Sequence, residues 1–172
     1  FSTVRVDIGI DARIPDSYIE DLAQRLSIYQ RLARIRAESE IDDLDEEIRD
    51  RFGPMPTHVK LLMKMARMRL MAEQAGVELA VAKETRATLT LKEPTGGARV
   101  PLQKQLGTGV DVGHMQIRVE INRDDPEWID ELMAVLDQLK MFQERMAQMM
   151  EMVMAAERGD ETVIAAVSET VG

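Results

Sequence analysis

The chain has 172 residues, 45% of them hydrophobic, enough for one medium core or two small ones. Its 31 acids outweigh 22 bases to give a formal charge of −9, and aromatics make up 3%, so the basic face and stacking rings of a direct nucleic-acid binder are not expected. Cysteine is absent, which removes disulfides and thiolate metal sites and fits a reducing compartment.

The chain opens on Phe1 rather than Met, so it is expected to be a piece of a longer protein. Val4, Val6, Ile8 and Ile10 alternate with Arg5, Asp7 and Gly9, which predicts a half-buried strand over residues 3–10. After Pro15, Asp16 or Ser17 is expected to cap a helix carrying Ile19, Leu22, Ala23, Leu26, Tyr29 and Ala33, ending near Arg36. Ser39 is expected to cap a second helix, with Asp42 near its positive end and Ile41, Leu44, Ile48 and Phe52 as its apolar stripe. Gly53 suits the left-handed residue that ends a helix, and Pro54 cannot continue it. Pro56 or Thr57 then opens a third helix, predicted to run to about residue 75 through Val59, Leu62, Met63, Ala66 and Leu70.

Past Gly76 the period drops to two. "VELAVAK", "ATLTLKE" and "HMQIRVEIN" read as three strands, the last two joined by a Gly-rich connection with a short helix near residues 102–106. Asp125, Pro126 and Glu127 open a final helix with Ile129, Leu132, Met133, Leu136, Leu139 and Phe142 near one side. It either continues through "MAQMMEMVMAAER" or breaks there, and "GDETVIAAVSETVG" reads as a loose tail or a docking strand. No internal repeat is evident. The order β, three α, β-β-β, α predicts an α+β (mixed α/β) domain with a small, mostly antiparallel sheet and a long C-terminal helix.

Motifs for chemistry are sparse. Gly107, Gly109 and Gly113 are spaced one residue too widely for a dinucleotide fingerprint, and a strand follows where a phosphate needs a helix N-terminus. A flexible loop is the favoured reading, and a small nucleotide-binding enzyme using residues 107–113 is a less favoured alternative. There is no phosphate loop and no G-x-S-x-G elbow, and "DELM" at Asp130 lies inside an amphipathic helix. His58 and His114 lack zinc spacing, and acid pairs such as Glu46/Glu47 point two ways around a helix. The expectation is no catalytic residue, no metal and no cofactor. Lys60, Lys64 and Arg67 form a basic stripe, solvated or paired with the acidic second helix. Charges interrupt every long apolar run, so no membrane span is expected and the location is expected to be cytoplasmic. Helical methionines usually fill cores, but Met149, Met150, Met152 and Met154 wrap around their helix, which points to self-association or docking.

Two motifs carry a resemblance. Arg25, Leu26, Tyr29 and Arg31 fill R-L-x-x-Y-x-R, and Glu47, Asp50, Arg51, Phe52, Gly53 and Pro56 fill E-x-x-D-R-F-G-x-x-P. With these the chain resembles the C-terminal domain of bacterial transcription-repair coupling factors, over residues 1–145 and more loosely past Gly76; residues 146–172 read as a variable extension. The resemblance implies a parent that is an ATP-driven DNA translocase in transcription-coupled nucleotide excision repair, with its motor elsewhere. That parent displaces stalled RNA polymerase and recruits UvrA. The domain itself is implied to be non-catalytic and autoinhibitory, docking on the parent's N-terminal UvrB-like module to mask UvrA binding and restrain the motor. Arg25, Leu26, Tyr29, Arg31, Phe52, Gly53 and Pro56 are then structural, and Glu47, Asp50 and Arg51 make the interdomain contact. An internal ion-pair network is the alternative for those three charges. A stand-alone scaffold that oligomerises through the Met-rich final helix is the alternative function.

Overall fold

Two periods of hydrophobic residues build two halves that share one helix. The computed structural model describes residues 3–159 and 168–169. The elements are β1 (Arg5–Asp7), α1 (Leu22–Ala33), α2 (Glu38–Phe52), α3 (Thr57–Gln74), β2 (Val77–Lys83), β3 (Arg86–Leu91), α4 (Arg99–Leu106), β4 (Val110–Val112), β5 (Gln116–Glu120) and α5 (Trp128–Glu157). A short 3-10 turn, Gly96–Ala98, leads into α4. The α+β class, the mostly antiparallel sheet and the long final helix expected from the pattern are all present.

The five strands lie in the order β1-β2-β3-β5-β4, with only β1 and β2 parallel. Pairing runs Ala80 to Leu89 and Leu89 to Ile117, which aligns buried residues across three strands. Ala87, Leu89, Leu91, Ile117 and Val119 are buried, whereas Thr88, Thr90 and Arg118 between them are not, so one face holds the core. That face packs with Met68, Ala72 and Ala75 from the α3 end and with Leu132, Leu136 and Leu139 of α5. Burying each of those leucines contributes about 1.5–3 kcal/mol. The opposite side of α3, through Val59, Met63, Ala66 and Leu70, joins a second cluster with Ile28, Leu32, Ile41, Leu44 and Ile48 of α1 and α2. Thus α3 couples the helical half to the sheet half.

Several local expectations need correction. The first helix starts at Leu22 and is capped by Asp21, whose Oδ1 accepts from the Ala23 amide at 2.9 Å; Asp16 and Ser17 lie in a turn before it. Its buried residues are Ile28 and Leu32, while Leu22 and Leu26 are 59% and 50% exposed. The stripe read from the sequence therefore pointed about a third of a turn off the true face, because residues on both stripes repeat at three and four. Ser39 lies inside α2 rather than at its cap, which is Ala37 with no side-chain bond. Asp42 serves a different purpose, accepting from Arg67 at 2.9 Å. In the Gly-rich connection the short helix is α4, and a further strand, β4, went unread. Three residues are too few to show a period; Gln103 fixes β4 by donating to the Val110 carbonyl at 2.7 Å and accepting from the Val112 amide at 2.8 Å. This amide occupies the outer edge of β4, where another chain could otherwise pair.

Of the two courses left open for the final helix, the unbroken one holds. α5 runs 30 residues, straight through the 145/146 position. The tail or docking strand expected after Gly159 lies largely outside the described residues.

Candidate interdomain contact surface

The corner at the end of α2 is built from the second motif and Tyr18. Gly53 ends the helix at φ 87°, with its amide donating to the Arg49 carbonyl at 2.9 Å. That dihedral is strained for any residue with a Cβ, which explains the glycine. The Tyr18 hydroxyl donates to the Gly53 carbonyl at 2.6 Å, and its ring meets Phe52 at 6.1 Å between centroids, tilted 59°. Burial, followed by the Asp45 carboxylate, raises the Tyr18 hydroxyl above its ordinary value of 10.0. Pro56 caps α3, its carbonyl accepting from the Val59 amide at 3.0 Å.

The first motif holds the preceding loop. Tyr29 accepts at its hydroxyl from the Ile14 amide at 2.8 Å, and Arg25 donates to the carbonyls of Ile19 at 2.7 Å and Glu20 at 2.9 Å. Leu26, by contrast, faces outward. Arg31 reaches across to α2 and pairs with Glu47.

The three candidate contact charges share the last turns of α2 but have different surroundings. Glu47 stands between Arg31 and Arg51, the latter at 4.0 Å. Arg51 also lays its guanidinium over the Phe52 ring, 4.9 Å from the centroid, with about half of its side chain open to solvent. Asp50 is exposed and has no ion-pair partner among the described residues. Glu47 thus takes part in an intrachain network, while Asp50 and the open side of Arg51 are presented outward. Their neighbours Asp42, Asp45, Glu46 and Arg49 line a shallow concavity with Asp50, in which Arg49 pairs with Asp45 at 2.5 Å.

Of the basic stripe of α3, Arg67 and Lys64 form specific pairs, while Lys60 is exposed. Arg67 donates to Glu38 at 2.6 Å and to Asp42 at 2.9 Å, tying α3 to α2, and the Asp42 hydrogen bond leads in raising its pKa further. Lys64 instead reaches Asp130 on α5 at 2.8 Å. Positioning residues that the sequence does not announce include Tyr18 and Arg69. Tyr18 bonds a residue 35 positions away, and Arg69 donates to the Leu32 carbonyl at the end of α1, so no local spacing announces either. Burial lowers the Arg69 pKa, with Glu73 opposing the shift.

Gly107 and Gly109 flank the turn between α4 and β4, and Gly113 follows β4, so no helix N-terminus stands over this loop. Among the described residues there is no group of three or more His, Asp or Glu side chains that could hold a metal ion. None of the described helices is long and apolar enough to cross a membrane.

These features define an α+β domain whose distinctive polar chemistry lies on an exposed corner. The chain belongs to the TRCF domain family, which matches residues 8–98, more than half of its length. It is similar to the transcription-repair-coupling factor of Bacillus subtilis (strain 168), 31% identical over 146 residues that cover 78% of this chain and 12% of that protein. Its similarity to the transcription-repair-coupling factor of Escherichia coli (strain K12) is 35% identity over 72 residues, 42% of this chain and 6% of that protein. The chain therefore spans about an eighth or less of these relatives. A crystal structure of a C-terminal domain of transcription-repair coupling factor shares the fold, with a TM-score of 0.66 at 20% identity, over 81% of this chain and 92% of that one.

Proposed function

We propose that this chain is the non-catalytic regulatory domain of an ATP-dependent, cytoplasmic DNA translocase that couples transcription to nucleotide excision repair. It docks on the UvrB-like module of its own parent, masks UvrA binding and restrains the motor; it binds no nucleic acid itself and uses no cofactor. UvrA and RNA polymerase are indirect partners, reached through the parent. The observation that carries this reading is the outward pair Asp50 and Arg51 on a corner locked by Phe52, Gly53 and Tyr18. The corner fixes the backbone that carries a carboxylate unpaired among the described residues and a planar guanidinium fork, which suits recognition of opposite charges on a partner. The contact is polar, as befits an interface that opens, and a coupling of about 1–3 kcal/mol suffices for regulation.

The test is a parent protein bearing Asp50→Ala with Arg51→Ala. UvrA capture and ATP turnover should both rise, while the isolated domain loses no more than about 1 kcal/mol, since exposed ion pairs contribute little. Unchanged UvrA capture and turnover in the variant parent would refute the docking role.

A further inference from the structure

The side of α5 that faces the core does not end where the core ends. Leu132, Leu136, Leu139 and Phe142 are buried, and the same helical line continues as Met146, Met149, Met150 and Val153. Met149, Met150 and Val153 are 59%, 57% and 53% exposed, and Met154 lies beside them. No charged side chain lies on this line between Met146 and Val153; Glu144, Glu151 and Arg158 fall on the far side, where Arg158 pairs with Glu151 at 3.2 Å. At its inner end the line opens into a groove of about 240 Å³ lined by Leu91, Pro94, Leu102, Phe142 and Met146 together with Glu93 and Gln143.

We propose that this outer half of α5 is a self-association surface, on which the same helix of a second copy packs antiparallel across a two-fold axis. The occupant follows from the shape and chemistry of the strip. Between Met146 and Met154 it is apolar and carries no group that needs a countercharge, Glu157 one turn past Val153 closing its outer end, so it can serve as its own complement, as an isologous interface requires. Unbranched methionine side chains interdigitate with one another without a fixed template. An antiparallel arrangement also sets the two helix dipoles against each other favourably. The exposed side chains leave on the order of 500 Å² of surface on each copy, so full pairing removes on the order of 1,000 Å², the size at which an interface becomes specific. Met150 then stands at the axis facing its copy, and Met146 of one copy lies opposite Met154 of the second. This surface lies on a different element from the Asp50 corner, and the inference is independent of the docking proposal.

The experiment uses the whole 172-residue chain in sedimentation equilibrium, at concentrations from on the order of 1 to 200 µM. The expected mass rises from 19.4 kDa toward twice that value. Met150→Glu with Val153→Glu should hold the chain at the single-copy mass with its helical circular dichroism unchanged and a melting temperature that no longer rises with concentration. Mixing Met150→Glu chains with Met150→Lys chains should restore the two-copy mass, because position 150 faces itself across the axis. A single-copy mass at every concentration overturns the proposal, as does a two-copy mass that survives the double substitution. Failure of the Glu/Lys mixture to pair overturns the two-fold arrangement. A variant that unfolds shows that the strip is covered within its own chain, which also overturns it.

Discussion

Tyr18→Phe isolates the contact that locks the α2 corner. The substitution keeps the ring against Phe52 and removes only the hydroxyl that donates to the Gly53 carbonyl at 2.6 Å. A net hydrogen bond contributes about 0.5–1.5 kcal/mol, and the carbonyl left behind at a half-buried position regains only part of its solvation, so a loss of about 1 kcal/mol is expected. In a domain of this size that corresponds to a melting shift of roughly 2–4 °C. Urea unfolding at pH 7 should show a lower midpoint with an unchanged slope. The pH dependence supplies a second readout. Burial, then Asp45, raises the folded-state pKa above 10.0, so the folded state holds this proton more tightly than the unfolded chain. The hydroxyl's contribution is then complete below pH 10 and falls away as pH rises from there through the folded-state pKa. The gap between the parent and Tyr18→Phe chains should therefore be constant near neutrality and close in alkali. A Tyr18→Phe chain that matches the parent at pH 7, or a gap that widens above pH 10, would refute this account of the corner.

Other contacts give equally direct tests. Arg123 donates to the carbonyls of Ile8 at 2.9 Å and Ala82 at 2.7 Å and lies over the Trp128 ring at 4.8 Å, joining β1, β2 and the start of α5. Arg123→Ala should cost about 2–3 kcal/mol in urea unfolding, with Arg123→Lys recovering only part; a loss below about 0.5 kcal/mol would show that the latch contributes little. Gly76 turns the chain from α3 into β2 at φ 72°, and a Cβ there would sit 2.9 Å from Gln143 Oε1. Gly76→Ala should cost about 1–2 kcal/mol, and adding Gln143→Ala should restore less than half, because the backbone strain remains. Full recovery in the double variant would assign the cost to the side-chain clash alone.

By itself the sequence determined the class of fold, the three consecutive helices and the switch to strands after Gly76. Those features rest on local physics: a 3.6-residue stripe through Ile41, Leu44 and Ile48, a glycine at positive φ after Phe52, and alternation through Leu89 and Leu91. The motif residues of the corner were legible too, since Phe52, Gly53 and Pro56 act within a few positions of one another. Tertiary structure alone decided which side of α1 is buried, because Leu22 and Leu26 repeat with the same spacing as Ile28 and Leu32 and only the position of α2 and α3 separates them. It also decided the state of the charges. Glu47, Asp50 and Arg51 are equivalent in sequence as charged residues near one helix end, yet Arg31, sixteen residues away, engages Glu47 and leaves Asp50 open. The partner of a long, flexible ionic side chain depends on which distant element the fold brings within about 4 Å, and that distance is not encoded in any local period.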